Sequence, residues 1–181
     1  MIQHNAQAEH TSETSVRLVN PSVEYADSVM EAAREFAKEN SQELSQALSL
    51  QFEQFVAGQL EQADPSKLNP DYVPATELWI VHGHQFIGRI SIRHYLNDAL
   101  RRVGGHIGYA VRPTARKRGY ATQALKMALS EARKLGLHEV MLTCDDNNIG
   151  SIKVIESAGG ILVDRNTHDH VPKRYYRIKL G

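Results

Sequence analysis

The stretch from Gly105 to Ala132 constrains the fold of this chain more than any other part of the sequence. It reads GHIGYAVRPTARKRGYATQALKMALSEA. The pattern predicts a strand from His106 to Val111, a basic loop from Arg112 to Arg118, and a helix that begins at Gly119. Pro113 ends the strand, because the residue before a proline is held in an extended conformation.

The predicted helix after this loop has one apolar face. Its apolar residues recur at the i, i+4, i+7 and i+8 spacing of a helix that is buried on one side. They are Ala121, Leu125, Ala128, Leu129, Ala132 and Leu135. Gly136 then gives a C-terminal stop signal, so the helix is expected to end there.

The loop itself has the composition of an anion-binding site. The first N–H groups of a helix have no partner within the helix and point toward whatever lies before them. At Gly119 no Cβ stands between the backbone and a phosphate oxygen, and Arg116, Lys117 and Arg118 add positive charge. On these residues alone, a phosphate-binding loop and a solvated basic turn both remain open.

The other segments surround this stretch with further strands and helices. Strands are predicted over 16–19, 76–81, 86–96, 140–144, 161–163 and 174–180, and helices over 23–39, 44–60 and 149–158. Loops are predicted over 63–75 and 164–173. The resulting order, β-α-α-β-β-β-α-β-α-β-β, predicts a mixed α/β domain, in the broad sense that includes α+β folds.

Periodicity also predicts which side chains share a face. In the strand over 86–96, Phe86, Gly88, Ile90, Ile92, His94 and Leu96 fall on one face, and Arg89, Ser91 and Arg93 fall on the other. The apolar stripe of the first helix is predicted at Val23, Ala26, Met30, Ala33 and Phe36. That of the second is predicted at Leu44, Leu48, Phe52, Phe55 and Leu60.

Length and composition bound the possible functions. A chain of 181 residues, 41% of them hydrophobic, predicts one domain at 16–181 after a flexible tail at 1–15. The formal net charge is zero, so no bulk attraction to nucleic acid is expected. The single cysteine, Cys144, excludes an internal disulfide framework. No signal peptide or membrane-spanning pattern is recognisable, so the expected location is cytoplasmic, without a membrane partner.

The motif around the loop, in this order of elements, resembles the GNAT acyltransferase superfamily. That family's phosphate loop has Gln or Arg, two further residues, Gly, any residue, and Gly or Ala; this chain has Arg116-Lys117-Arg118-Gly119-Tyr120-Ala121. A strand ending in Gly108-Tyr109-Ala110-Val111 precedes it, and a later helix closes at Gly159-Gly160. The resemblance covers about 16–180. It implies a central, mostly antiparallel sheet with a splayed strand pair, flanked by helices.

The resemblance implies a site for acetyl-CoA or another acyl-CoA as cosubstrate. The pyrophosphate would bind the N–H groups from Lys117 to Thr122, and the backbone of Ala110 and Val111 would pair with the pantetheine amides. Asn148 would lie along the pantetheine arm, or it would only cap the following helix. The implied cofactor-binding residues are Ala110, Val111, Arg116, Lys117, Arg118, Gly119, Tyr120, Ala121, Thr122, Asn148 and Ser151.

The reaction that the resemblance implies is direct attack of a primary amine on the thioester in a ternary complex. Relatives often place a glutamate base at the start of the strand before the phosphate loop, where this chain has His106. Histidine has a suitable intrinsic pKa for a base, although a solvent-facing histidine is the alternative. Tyr72 and Glu77 are further candidates because they would border the acceptor. A backbone N–H near Val111 would polarise the thioester carbonyl.

The sequence departs from the family at the acid that protonates the leaving thiolate. Many relatives have a tyrosine seven residues after the asparagine, where this chain has Ile155. Transfer would then use water, another side chain, or no dedicated acid. The expected function is an N-acetyltransferase acting on an unidentified small-molecule or peptide amine. The alternative is a CoA-binding sensor or scaffold without turnover.

Other groups of residues in the sequence are weaker indications of function. His82 and His84, like His168 and His170, alternate in turns without a third ligand, so no metal is expected. The phosphates of CoA account for the basic loop, so no nucleic-acid partner is expected either. A homodimer in which the final strand joins a neighbour's sheet is compatible with the sequence.

Overall fold

The structure is a computed structural model that describes residues 15–181. The predicted tail at 1–15 therefore lies, except for its last residue, outside the described residues. Residues 15–181 form seven strands and six α-helices. They are β1 (Val16–Val19), α1 (Ala26–Lys38), α2 (Ser45–Ser49), α3 (Phe52–Glu61), β2 (Ala75–His82), β3 (Gln85–Arg93), α4 (Asp98–Arg102), β4 (Ile107–Val111), α5 (Tyr120–Lys134), β5 (Glu139–Asp145), α6 (Ile149–Ser157), β6 (Ile161–His168) and β7 (Val171–Lys179).

The strands form two antiparallel sheets that are joined at the start of β4. The first has the order β1-β2-β3-β4 and the second the order β5-β7-β6. An isolated bridge links Gly105 to Leu142. A Cβ on Gly105 would lie 2.3 Å from the Met141 carbonyl oxygen, so this close approach requires glycine. No strand ladder continues from this bridge between β4 and β5 in residues 15–181, which gives the splayed strand pair that the resemblance implies.

The first sheet is buried on both faces. One face packs against α5, with Ile90 and Leu125 in that core. The other face lies under α1 and α3, where the fully buried Trp79 packs against the rings of Tyr25 and Phe55. The helices thus fix the sheet that positions β4 and the loop after it.

A β-bulge in β3 overturns the predicted face of Phe86. Gly88 pairs with Ile80 and Phe86 with Val81, so Ile87 is an extra residue. One extra residue reverses the alternation of side chains along a strand. Phe86 therefore lies in the core under α1, while Ile87 joins Ile90 in the core under α5.

The predicted single helix over 44–60 is also wrong. Leu50 and Gln51 are extended, with ψ of 164° and 138°, and they separate α2 from α3. Because of the break, α2 and α3 do not share one continuous apolar face. Leu48 and Leu60, which the predicted helix would bury, are therefore exposed.

Two other helix faces are rotated from the predicted ones. A 3₁₀ turn at Val23–Tyr25 precedes α1 and changes the residue period there. The buried residues of α1 are consequently Val29, Ala32, Ala33 and Phe36. Those of α5 are Ala124, Leu125, Ala128 and Ala132, and Leu135 is exposed.

The predicted loop over 164–173 is wrong as well, because β6 and β7 form a long hairpin. His168 pairs with Val171 around the two-residue turn Asp169-His170. Both turn residues have positive φ, as a tight hairpin turn of this kind requires. β6 is exposed on both sides, so its sequence has no apolar alternation to reveal it. No helix in the described part of the chain is long and apolar enough to cross a membrane.

Candidate active site

The basic loop reaches α5 through two residues in the left-handed conformation. Lys117 has φ of +63° and Gly119 has φ of +80°. Gly119 is the N-cap of α5, and no described side chain caps the helix. A Cβ added to Gly119 would meet nothing closer than Gln123 Nε2 at 3.9 Å. The unpartnered first-turn N–H groups of α5 therefore face open space, as an anion site requires.

A cavity of about 740 Å³ lies in front of this helix end. It is bounded by β4, the loop, and the first turns of α5 and α6. The structure brings ten of the eleven predicted cofactor-binding residues together around this cavity, and Arg118 is the exception. We refer to it as the CoA cavity, after the cosubstrate that the resemblance implies for these residues.

Two of the predicted cofactor residues already have partners within the protein. Arg116 forms an ion pair with Glu39 at 2.8 Å and donates to the Val111 carbonyl oxygen at 3.2 Å. Asn148 Oδ1 accepts a hydrogen bond from Ser151 N at 3.0 Å and so caps α6. The charge of Arg116 is thus balanced by a carboxylate, which leaves Lys117, Lys153 and the backbone N–H groups of the loop at the cavity.

Arg112 ties the start of the loop to α1, a role that sequence analysis missed. Its side chain is 2% exposed, and its guanidinium donates to Glu35 and, at 2.7 Å, to Glu31. Thr114 Oγ1 donates to Glu35 at 2.9 Å. Burial raises the pKa of Glu35, but the hydrogen bonds from Arg112 and Thr114 outweigh it and bring the pKa below its usual value. The carboxylate therefore stays charged and holds the loop.

A second cavity, of about 680 Å³, adjoins the CoA cavity. Ser41 and Glu43 line both. β2 and β3 form its floor, and the predicted candidates Tyr72 and Glu77 are among its lining residues. Tyr72 is 69% exposed, whereas the side chain of Glu77 is 4% exposed and accepts from Arg89 at 3.4 Å. We call this the acceptor cavity, because its residues border the CoA cavity where a second substrate would enter.

His106 lies away from these residues, at the point where the two sheets join. It is not among the residues lining either large cavity. Its Nδ1 accepts a hydrogen bond from Met141 N at 2.9 Å. Burial, followed by the charges of Arg101 and Arg93, lowers the pKa of His106, against a smaller opposing effect of Glu139. A neutral imidazole is what this hydrogen bond requires, because a protonated Nδ1 cannot accept.

The gap between β4 and β5 holds the hydroxyl group of Tyr109. A cavity of about 270 Å³ there is lined by Tyr109, Cys144, Ser151 and Ile155, and Tyr109 and Ser151 also line the CoA cavity. Ile155 is fully buried, as expected for the inner face of α6. The Tyr109 hydroxyl is buried and makes no hydrogen bond of normal geometry within residues 15–181.

Tyr109 is a second residue that sequence analysis passed over as a possible donor. Burial raises the pKa of Tyr109 to about 12, although the neighbouring Ser151 side chain acts in the opposite direction. The phenol is therefore protonated at neutral pH, with a proton free to donate. The only indication in the sequence was Ile155, which stands where relatives have a tyrosine and which lines this gap.

Comparison with known proteins agrees with the overall fold. The sequence model of the acetyltransferase (GNAT) domain matches residues 21–161. The microcin C7 self-immunity acetyltransferase MccE, solved with acetyl-CoA and AMP, is 16% identical with a TM-score of 0.66, over 91% of this chain and 92% of its own. No curated protein sequence matches the chain.

Two further solved structures share the fold. The ribosomal-protein-S5-alanine acetyltransferase from Vibrio fischeri is 15% identical with a TM-score of 0.66, over 91% of both chains. An acetyltransferase from Salmonella typhimurium that modifies the N-terminal serine of ribosomal protein L7/L12 is 15% identical with a TM-score of 0.62. That match covers 92% of this chain and 95% of the other.

Proposed function

The chain belongs to the GNAT acetyltransferase family, and from this premise we propose that it transfers an acetyl group from acetyl-CoA to a primary amine. The observation that carries the proposal is a pair of adjoining cavities that share Ser41 and Glu43. One lies before the uncapped end of α5 and suits a pyrophosphate, and the other has a charged floor that suits a polar acceptor. Donor and acceptor can therefore be bound side by side.

The donor binds with its pyrophosphate at the first turn of α5 and beside Lys117. Its pantetheine arm then follows the backbone of Ala110 and Val111 toward Tyr109. The crystal structure of MccE in complex with acetyl-CoA supports this class of cosubstrate. The acyl end thereby reaches the boundary of the two cavities, where an amine can meet it.

Transfer is a direct attack of the amine nitrogen on the thioester carbonyl carbon. The new C–N bond forms, the C–S bond breaks, and the sulfur leaves with the electron pair. Glu43 accepts the amine proton, because it is the carboxylate that lines both cavities. Arg89 Nε donates to Glu43 at 2.6 Å and fixes its orientation. The roles predicted for His106, Glu77 and Tyr72 remain predictions that substitution can test.

The leaving thiolate takes a hydrogen bond from the Tyr109 hydroxyl. This phenol lines the CoA cavity and faces the gap near Ile155, where relatives carry their tyrosine. A thiolate next to a buried, unpartnered hydroxyl satisfies both groups. Ser151 lies beside the hydroxyl and also lines the CoA cavity.

The acceptor is a small-molecule or peptide amine. Two solved neighbours are named for acetylating ribosomal proteins, and a third is named for self-immunity to microcin C7. These names support both classes of acceptor.

The test is release of free thiol from acetyl-CoA in the presence of a panel of amines, together with CoA binding measured by calorimetry. We expect CoA to bind and at least one amine to raise thiol release above hydrolysis. Tight CoA binding without such a rise for any amine would instead favour the sensor or scaffold, which the buried Ile155 would then explain.

Substitution of Gly119 tests the CoA cavity itself. Gly119→Asp places a carboxylate where the pyrophosphate binds, so we expect it to abolish measurable CoA binding. Gly119→Asn is the matched control, since it imposes nearly the same shape and the same φ of +80° without the charge. We expect the Asp variant to bind CoA at least about tenfold more weakly than the Asn variant. Equal affinities in calorimetry would contradict this site.

A further inference from the structure

A row of alternating charge crosses the floor of the acceptor cavity. Glu43 stands at its boundary with the CoA cavity and pairs with Arg89 at 2.6 Å. Arg89 also reaches Glu77 at 3.4 Å. Arg93 follows on the same face of β3, beyond Glu77, and its pKa is influenced by both Glu77 and Arg89. The row thus begins with a carboxylate at the CoA side and ends with a guanidinium.

Arg93 is the unmatched member of this row. Its Nη1 donates to the Gly105 carbonyl oxygen at 2.9 Å. No carboxylate lies within 4.0 Å of its side-chain nitrogens in the part of the chain that the structure describes, whereas Arg89 has two such partners. Burial, aided by the charge of Arg89, lowers the pKa of Arg93 even though Glu77 acts against it. Arg93 lines both the acceptor cavity and the gap between β4 and β5. A partly buried cation without a counter-ion at a cavity favours an anion there.

The direction of the row fixes how a charged acceptor would lie. Arg89 pairs in the sheet with Ala110, which lines the CoA cavity, whereas Arg93 is hydrogen-bonded at the level of His106. Arg93 lies four residues beyond Arg89, or about 13 Å along β3. The reacting amine must meet the thioester at the Glu43 end. A group held by Arg93 therefore lies on the far side of the acceptor molecule.

We infer that the acceptor is an amine that also carries a carboxylate, with its amine at Glu43 and its carboxylate on Arg93. This inference rests on the proposed acetyl transfer and adds the class of substrate. The guanidinium offers paired donors that match a carboxylate. A polyamine would instead place a second cation against Arg93, and a simple alkylamine would leave Arg93 without a counter-ion.

Matched acceptors that differ in the carboxylate test the inference. The pairs are lysine with cadaverine, 6-aminohexanoate with hexylamine, and triglycine with triglycinamide. For the wild-type protein we expect kcat/KM to be roughly tenfold or more higher for the carboxylate member of each accepted pair. Arg93→Gln should bring the two members close to equality with unchanged CoA affinity, and Arg93→Lys should retain part of the preference.

Arg101→Gln is the matched control, because Arg101 is exposed and is not among the lining residues of the acceptor cavity. It should keep the wild-type preference. Equal rates for both members in the wild type, or an intact preference in a folded Arg93→Gln protein, would overturn the inference and leave acetyl transfer standing. Failure of the wild type to acetylate any of the six amines, while CoA binds, would overturn the proposed function and this inference together.

Discussion

The hydroxyl group of Tyr109 is buried in the gap between β4 and β5, where Ser151 lies beside it but no described residue makes a hydrogen bond of normal geometry with it. Leaving a buried polar group unsatisfied costs about 1–3 kcal/mol. Such a cost is expected where a bound molecule supplies the missing partner, and functional sites commonly retain it. Tyr109 lines both the CoA cavity and the gap, so under the proposed function the sulfur of CoA would supply that partner.

Tyr109→Phe tests this role with little change in packing. We expect kcat to fall by about 10²-fold, because the thiolate loses its donor. The affinity ratio between CoA and desulfo-CoA, measured by calorimetry, should also fall, since the lost hydrogen bond involves the sulfur. Tyr95→Phe, at an exposed tyrosine, is the control and should leave both values unchanged. An unchanged kcat and an unchanged affinity ratio in Tyr109→Phe would remove the hydroxyl from the mechanism.

The position of the basic loop before α5 could be predicted from the sequence, because its residues are contiguous and a glycine leads directly into the helix. Glu43, Arg93 and Tyr109 could not. Their significance depends on which distant strand or helix lies opposite, as when Glu43 meets Arg89 across the cavity boundary. Phe86 shows the same limit in the core, because the unpaired residue next to it, Ile87, decides which face of β3 it occupies.

At the scale of elements, α1 acts as a brace for the loop. Glu31, Glu35 and Glu39 follow one another at four-residue spacing, so they lie along one side of the helix. They contact Arg112, Thr114 and Arg116 in turn. Because the same helix leads into the segment with Ser41 and Glu43, it couples the loop to the boundary of both cavities.

Glu35→Gln tests this brace. Arg112 is nearly fully buried and would keep only Glu31 as a charged partner, so the free energy of unfolding should fall by about 1.5–3 kcal/mol. Glu39→Gln removes a partner from an ion pair whose side chains are 44% and 45% exposed, and it should cost less than about 1 kcal/mol. Urea denaturation at pH 7 measures both. An equal decrease in the free energy of unfolding for both variants would show that the buried pair contributes no more to stability than the exposed one.

Elements whose buried face repeats regularly were predicted well, as β5 shows, where buried and half-buried residues alternate. The hairpin of β6 and β7 was not, because an edge strand that is exposed on both sides has no hydrophobic period. The helical turn of α4 was missed for a related reason. It is five residues long and is held by the Asn97 cap rather than by an apolar stripe.

At the scale of the whole molecule, the two sheets depend on a small junction. The bridge at Gly105 and the hydrogen bond from Met141 N to His106 Nδ1 hold β4 beside β5. The folded protein resists protonation of His106, because its pKa is lowered from 6.5. The unfolded chain binds that proton more readily. Stability from this group is therefore present above pH 6.5 and is lost as the pH falls from there toward the lowered pKa.

His106→Gln keeps a hydrogen-bond acceptor without a titrating group. Between pH 7.5 and 5.5, we expect the wild type to lose more stability than this variant, by at most about 1.4 kcal/mol per pH unit in the affected window. His84→Gln is the control, since that imidazole is 86% exposed. Parallel pH profiles for the wild type and His106→Gln would contradict the junction. In the same proteins, an unchanged kcat at pH 8 would exclude His106 as the base.

The linings of the two cavities come from different segments of the chain. Except for Phe36, Ser41 and Glu43, the lining of the CoA cavity comes from residues 109–154. The lining of the acceptor cavity lies between 41 and 100. Under the proposed function, substitutions that change the preferred amine are therefore expected in a stretch that contributes little to the donor cavity. Descendants of such a gene would then acquire new acceptors while the donor half stays constant, and residues 41–100 would be the segment to exchange between relatives.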